Sequence, residues 1–374
     1  MKIVYSILGT FNSGGMERVL ANKANYLADA GYDITIVTTD QQGRKSYFEM
    51  DSRIKHIDLG INYREDINKN AFKKVLLFLL KQKKHKQKLE EVLYNLKADI
   101  VISLFDNDAP LIYKIKDGSK KILEIHFSRF KRIQYGRKGI LGIIDKWRNI
   151  NDLRLAKQYD RFVVLTEEDK SFWGNLSNIE VVPNANSFIP ATQASLEHNR
   201  VIAVGRYDYQ KGFDELIKIW KKIYAGNPNW RLDIFGDGPL KGELQNLIEN
   251  LNLSGIVQLH PPVKNIEREY LESSILVMTS RYEGLPMALL EAQVCGLPMV
   301  AYACKCGPKD IIQDGINGYL IPEGDQQLMS ERLLKLMNDT ELRKSMGNKA
   351  FLLSDNFSEG RVMKKWLNIF EDIK

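Results

Sequence analysis

Short apolar runs alternate along the whole chain with segments whose apolar residues recur every three or four positions. The runs Lys2–Leu8, Ile34–Thr39, Ile54–Leu59, Ala98–Phe105, Lys121–Ile125, Phe162–Leu165 and Ile179–Val182 predict one set of strands. Val201–Gly205, Trp230–Phe235, Val257–His260, Ile275–Thr279, Pro298–Tyr302 and Gly318–Ile321 predict a second set. Between them lie helical stripes, among them Val19, Leu20, Ala24, Leu27 and Ala28 after the first strand, and Leu216, Ile217 and Trp220 in the second half. Strand–helix alternation of this kind builds parallel sheets with helices on both faces. The fold class is therefore α/β, as two doubly wound domains whose ligands bind at the carboxyl ends of the strands.

A chain of 374 residues exceeds what one core comfortably serves, which also points to two domains. The polar, aperiodic residues 187–199 read as a linker, leaving 1–186 as the first domain and 200–356 as the second. The last stripe, Val362, Trp366, Leu367 and Phe370, marks a helix within 357–374 that crosses back onto the first. Charge follows the same division. Residues 1–199 carry 32 Lys and Arg against 24 Asp and Glu, and residues 200–374 carry 22 against 23, so the whole excess of +7 lies in the first half. No apolar run approaches the ~18 residues of a membrane span, and Met1 leads straight into a strand without a leader pattern. The cysteines (Cys295, Cys304, Cys306) are three, with no His nearby to complete a zinc site, and read as reduced filler of a cytoplasmic protein.

Two basic stretches bear on partners. The long helical stripe Phe72, Val75, Leu76, Leu79 and Leu80 resumes at Leu89, Val92, Leu93 and Leu96. Between its halves, residues 81–88 show no apolar face. They are either a solvated turn or a surface attracted to anionic lipid, at about 1 kcal/mol per basic residue. Residues 129–148 mix Arg129, Lys131, Arg132, Arg137, Lys138, Lys146 and Arg148 with Phe130, Tyr135, Ile140, Leu141, Ile143, Ile144 and Trp147. This is either an interfacial segment or an ordinary basic helix with its apolar side on the sheet. No nucleic-acid-binding module is present. Asp106-Asn107-Asp108 matches a D-x-D metal pattern, but Ala109-Pro110 follows, so Asn107 or Asp108 is read as a helix cap.

The chemistry concentrates in Ser280–Ala292. A strand is followed by Glu283-Gly284-Leu285-Pro286-Met287, with Pro286 expected one or two residues inside a helix carrying Leu289, Leu290 and Glu291. The N–H groups of Gly284, Leu285 and Met287 then form an anion site at a positive helix end. Glu283 and Glu291 stand on the order of 12 Å apart at helical rise. Carboxylates working on one glycosidic bond sit closer, at about 5 to 9.5 Å. The pair is thus suited to gripping opposite ends of one ligand with its phosphates between, the layout of a nucleotide sugar. The plain alternative is a helix-start carboxylate and a solvated face. Two weaker signals join it: Gly14-Gly15, a turn or an anion cradle before a helix, and Arg206 with Lys211, two cations five residues apart beside a strand end.

The segment Glu283–Ala292 resembles the E-x7-E signature of retaining glycosyltransferases and is close to the form of glycosyltransferase family 4. The resemblance spans nearly the whole chain and implies the GT-B architecture, two Rossmann-like domains facing each other across a cleft. It assigns Glu283 to the donor sugar, Glu291 to the ribose, and the Gly284 and Leu285 amides to the diphosphate. Arg206-Tyr207-Asp208-Tyr209-Gln210-Lys211-Gly212 resembles the family's G-R-x-x-x-x-K-G, making Arg206 and Lys211 diphosphate ligands. Gly14 and Gly15 match its G-G-x-E-R loop. His126 resembles a sugar-contacting His at the end of its strand. Val263, after Pro261-Pro262 where the family has Gly, stands at the turn that holds the base.

The reading is a retaining, metal-independent transferase of a hexose or N-acetylhexosamine, with Glu283, His126, Arg206 and Lys211 catalytic. Its donor would be a UDP-sugar and its acceptor a glycan on polyprenyl diphosphate, serving cell-surface polysaccharide such as lipopolysaccharide or capsule. The basic first domain would touch the inner face of the membrane. Glu283 as a nucleophile remains an alternative. So do a nucleotide-sugar epimerase or hydrolase on the same frame, and a non-enzymatic anion-binding protein.

Overall fold

The computed structural model describes residues 1–66, 70–134 and 138–374. Tyr135 and Arg137 of the basic stretch lie outside them, as do the side chains of Phe72, Arg132, Ile140 and Leu141.

The chain divides into two compact units, 1–182 with 362–374, and 183–361. In the first, strands β1 (Lys2–Ile7), β2 (Asp33–Thr38), β3 (Lys55–Asp58), β4 (Ile100–Ser103), β5 (Lys120–Glu124), β6 (Arg161–Val164) and β7 (Ile179–Val181) form a sheet in the order 3-2-1-4-5-6-7. All pairs are parallel, with Ile3 opposite Ile34 and Ile100. The inner strands β1, β2, β4, β5 and β6 are almost wholly buried, which is why they read as apolar runs rather than alternating ones, while the edge strand β3 is mostly exposed. The second unit holds β8 (Arg200–Val204), β9 (Arg231–Phe235), β10 (Val257–His260), β11 (Ile275–Met278), β12 (Met299–Tyr302) and β13 (Gly318–Ile321). Their order is 10-9-8-11-12-13, again parallel. In each sheet the order reverses beside the first strand, at β1/β4 and β8/β11, the place where such sheets open a crevice at their carboxyl ends.

Several expectations need correction. Residues 187–199 are not a free linker but pack on the second unit. The Ala194 amide donates to Cys295 O, and Leu196 O receives the Arg343 guanidinium. The unit begins already at Pro183, tied down where the Asn186 amide and side chain reach Phe357 and Ser354 carbonyls. The return to the first unit falls inside the helix Glu359–Asp372. There the Trp366 ring lies 3.9 Å from Lys23 Nζ, and Phe370 meets Tyr32.

The helix Ala71–Leu96 runs unbroken through 81–88, and that basic run does have an inward face. His85 is fully buried against the Tyr63 hydroxyl at 3.0 Å, and burial pulls its pKa down to about 4. Lys81 bonds Asn62 O and Asp66, and Lys88 bonds Leu59 O. One turn earlier Val75, Leu76, Leu79 and Leu80 are exposed. The helix Gly139–Ala156 likewise turns Asp145 and Asn149 inward and leaves Ile143, Ile144, Trp147 and Ile150 in solvent. These four are therefore not spent on the sheet, whereas Leu153, Leu155 and Ala156 at the end of the helix do pack on the core. Arg129, counted with the basic stretch, is buried, bonded to Asn149 and stacked on Trp173. Asp108 does precede the helix Ala109–Ile112 but makes no side-chain cap. Its carboxyl is enclosed, and burial together with Asp106 pushes it up to about 7.

Candidate active site

In the second unit the site grows out of the exit of β11. Thr279–Pro286 is irregular, and the helix runs Met287–Val294 with Pro286 as its N-cap (φ −72°, ψ 113°). Pro286 is thus outside the helix, not one or two residues inside as expected. Its carbonyl accepts the Leu289 and Leu290 amides. The amides of Met287 and Ala288 have no i−4 partner, which is the positive helix end sought. Gly284 and Leu285 belong to the loop before it.

Glu283 is buried, and Lys211 Nζ lies 2.7 Å from its Oε1. Gln210 Nε2 bonds the Tyr282 carbonyl at 2.9 Å and approaches Glu283 Oε2 at 3.3 Å. The Arg281 amide returns to Gln210 O, and the Glu283 amide to Lys305 O. The turn Tyr209–Lys211 is therefore laced to the Glu283 loop on both sides. Gly212 closes that turn at φ +65°, where a Cβ would lie 2.3 Å from Thr279 O. Gly205 gives room to the Lys211 stem, since a Cβ there would lie 2.9 Å from Lys211 Cδ.

Glu291 is no solvated face. The helix that carries it buries Leu289 through Val294, and its carboxylate accepts from Ser187 Oγ at 2.7 Å and Tyr270 Oη at 2.9 Å. Arg206 stands apart, its side chain 71% exposed and 3.9 Å from Asp208. Val263 is half-buried in the loop between β10 and the helix Ile266–Leu271, which Asn265 caps. The glycines after β9 let neighbouring backbone pack closely. A Cβ on Gly236 would lie 1.9 Å from Gly205 O, and one on Gly238 2.5 Å from Tyr207 O.

In the first unit Gly14 is the N-cap and Gly15 the first residue of the helix Gly15–Asp29. The cradle already holds a carboxylate. Glu17 Oε2 would lie 2.3 Å from a Cβ on Gly14, and Asn12 Nδ2 donates to Glu17 Oε1 at 2.8 Å. Burial raises the Glu17 carboxyl above its ordinary value. His126 is the second residue beyond β5, its Nε2 3.1 Å from Glu124 Oε1. Lys23 Nζ meets both oxygens of that same carboxylate, at 2.6 and 2.5 Å. Burial alone would raise Glu124, but the Lys23 ammonium and the hydrogen bonds from His126 and Lys23 outweigh it and bring the carboxyl down to about 2.

Two family models together cover residues 13–352: Glycosyltransferase Family 4 over 13–185 and Glycosyl transferases group 1 over 186–352. The chain belongs to the glycosyltransferases. The amylovoran biosynthesis glycosyltransferase AmsD of Erwinia amylovora is 29% identical over 98% of this chain and 99% of its own. A Campylobacter jejuni α-1,4-N-acetyl-D-galactosaminyltransferase named for a diNAcBac-PP-undecaprenol-linked substrate is 25% identical over 100% and 99%. Among solved structures, a mutant of S. aureus TarM in complex with fondaparinux, α-GlcNAc-glycerol and UDP superposes with TM-score 0.81 over 99% of both chains, at 18% identity. This glycosyltransferase accordingly has the GT-B fold, with its two Rossmann-like domains.

Of the residues singled out in the sequence of this glycosyltransferase, the second unit brings Lys211, Glu283, Gly284 and Leu285 onto one loop system at the head of the helix that starts with Met287. Glu291 sits farther along that helix, while Arg206 and Val263 lie on separate loops. Gly14, Gly15 and His126 belong to the first unit. Residues missed were Gln210, Tyr270, Ser187, Gly307, Glu17 and Glu124. Gln210 and Glu17 lay inside quoted motifs, beside residues that were chosen. Tyr270 and Ser187 carry no local signal, since their partner Glu291 is 21 and 104 positions away.

Proposed function

We propose that this glycosyltransferase moves a hexose or N-acetylhexosamine from a UDP-sugar to a glycan carried on polyprenyl diphosphate, with retention and without a metal, in cell-surface polysaccharide assembly. The observation that carries the reading is the Lys211–Glu283 pair at the head of a buried helix whose Glu291 is held by two hydroxyls. An incoming diphosphate offers Lys211 a second anion beside the Met287 and Ala288 amides. Each charge-assisted bond contributes about 1.5–3 kcal/mol, and together they stabilise the leaving group as charge develops. Arg206, exposed and held by a long contact to Asp208, swings in from solvent as the second cation. Glu283 is then released to the sugar hydroxyls, Glu291 meets the ribose, and the acceptor hydroxyl attacks from the leaving-group face. His126 is read as a further sugar contact.

The acceptor class is supported by the undecaprenol-linked substrate in the Campylobacter relative's name, the pathway class by amylovoran in the Erwinia relative's, and the base by UDP in the TarM complex. The exposed Val75, Leu76, Leu79 and Leu80, flanked by Lys73, Lys74 and Lys81, and Ile143, Trp147 and Ile150, with Lys146 and Arg148 among them, support docking of the first unit on an anionic bilayer. The test is transfer from a panel of UDP- and GDP-sugars, with EDTA, to lipid-linked acceptor in anionic vesicles, the product's anomeric configuration read by NMR. Glu283→Ala and Arg206→Ala should abolish turnover while folding is kept. Wild-type rates in either variant, or an inverted product, would refute the scheme.

A further inference from the structure

Glu124 and His126 are two residues apart at the end of β5, so their side chains leave the same face of the sheet while Ile125 enters the core on the other. On that face the carboxylate is shared. Lys23, from the helix Gly15–Asp29, donates to both of its oxygens, and His126 Nε2 takes the remaining approach to Oε1. Lys23 and Glu124 are almost completely buried, with side-chain exposures of 4% and 2%. Aromatic faces complete the enclosure of the ammonium, Trp366 at 3.9 Å and Tyr5 at 5.4 Å. Replacing a buried ion pair by an apolar pair of similar volume is often neutral for stability. What such a pair could not do is orient an imidazole.

We propose that Glu124 and Lys23 are positioning residues for His126, holding the ring as its Nε2–H tautomer so that Nδ1 is presented as a hydrogen-bond acceptor to a substrate hydroxyl. This rests on the reading of His126 as a sugar contact. A carboxylate accepts only, so the ring nitrogen facing it must carry the hydrogen, and the neutral ring's lone pair is left on the other nitrogen. Lys23 is what keeps Glu124 an acceptor. In the same unit the enclosed carboxyls Glu17 and Asp108, without a bonded ammonium, are driven upward by burial. Glu124, equally enclosed, is held low. Without Lys23 the proton could settle on Glu124, and the ring could then turn either nitrogen toward it. The charged and titratable groups around the ring are Glu124 on its own strand, Lys23 and Glu17 from the helix Gly15–Asp29, Tyr5 on β1 beyond Lys23, and Arg64 acting through Glu17.

The test is long-range 1H–15N NMR of the histidine rings in the full chain at neutral pH, with His126→Gln assigning the signal among five histidines. It is read beside kcat and KM for donor. Wild type should show the Nε2–H tautomer. Glu124→Gln, whose amide can donate, should convert the ring toward Nδ1–H and lower kcat/KM by about ten- to a hundredfold, the equivalent of one charged hydrogen bond. Should the unpaired Lys23 prevent folding, Lys23→Met/Glu124→Gln removes both charges and should give the same tautomer change. An Nδ1–H ring in wild type, or an Nε2–H ring and full turnover in the folded double variant, overturns the positioning role. Wild-type turnover in His126→Gln overturns the sugar-contact reading beneath it, whatever the tautomer.

Discussion

Gly307→Ala isolates the loop that carries Glu283. Gly307 lies at φ +92°, and a Cβ there would fall 2.4 Å from Pro286 Cδ, 2.7 Å from Gly284 O and 3.1 Å from Leu285 Cα. None of these is the free end of a flexible side chain, so the Glu283–Pro286 backbone must move. The positive φ costs an L-residue roughly 1–2 kcal/mol, and forcing extra volume into a packed place costs about 1–3 kcal/mol more. The sum is about 2–5 kcal/mol. Gly315→Ala is the control. It shares the strain, at φ +74°, but its Cβ would meet nothing within 4 Å, so only about 1–2 kcal/mol is expected. Urea denaturation of the two variants measures the difference. In transfer assays Gly307→Ala should lose up to about a hundredfold, the cost of displacing a positioned group by ~1 Å, and Gly315→Ala should keep its turnover. If the two were equally stable and equally active, packing of Gly307 against the loop would have no part in holding Glu283.

Lys211→Met strands a buried carboxylate and should cost somewhat less than the ~3–5 kcal/mol of a fully buried pair, because the Lys211 side chain keeps 18% exposure. Lys211→Met/Glu283→Gln should recover most of that in denaturation while transfer stays lost. In acid, Glu124 is held at about 2 against an ordinary 4.5, so the unfolded chain binds a proton that the folded chain refuses. Its contribution, on the order of 3 kcal/mol, is complete above about pH 4.5 and disappears as pH falls through about 2. A pH series of urea midpoints should show this limb in wild type and lack it in Lys23→Met/Glu124→Gln.

The strands and the helix after β11 could be read from sequence because their determinants are local: apolar runs, a turn rich in Gly and Pro, a period. The placement of Lys211 near Glu283 came from family resemblance. Local pattern put each at a strand end but could not pair residues 72 positions apart. It also left Arg206 and Lys211 looking like equivalent cations, when one folds back onto Gly205 and the other stays in solvent. Lys23, in a helical stripe, and Glu124, at a strand end, look like ordinary surface charges, and only the sheet order that puts β5 within reach of the first helix makes them a buried pair. For the helix Gly139–Ala156 two readings stood side by side, an interfacial segment and an ordinary helix with its apolar side on the sheet. Its apolar residues have helical spacing, and spacing alone does not say which face meets the protein.

The C-terminal helix has a consequence for biosynthesis. The seven strands of the first sheet have all left the ribosome by Val181, yet Trp366, the indole under Lys23, follows nearly half a chain later. Until then the nascent N-terminal unit keeps an open seat with a charged amine in it, while the second unit can mature as one continuous piece. A premature stop near the end of the message would therefore harm the half of the protein made first.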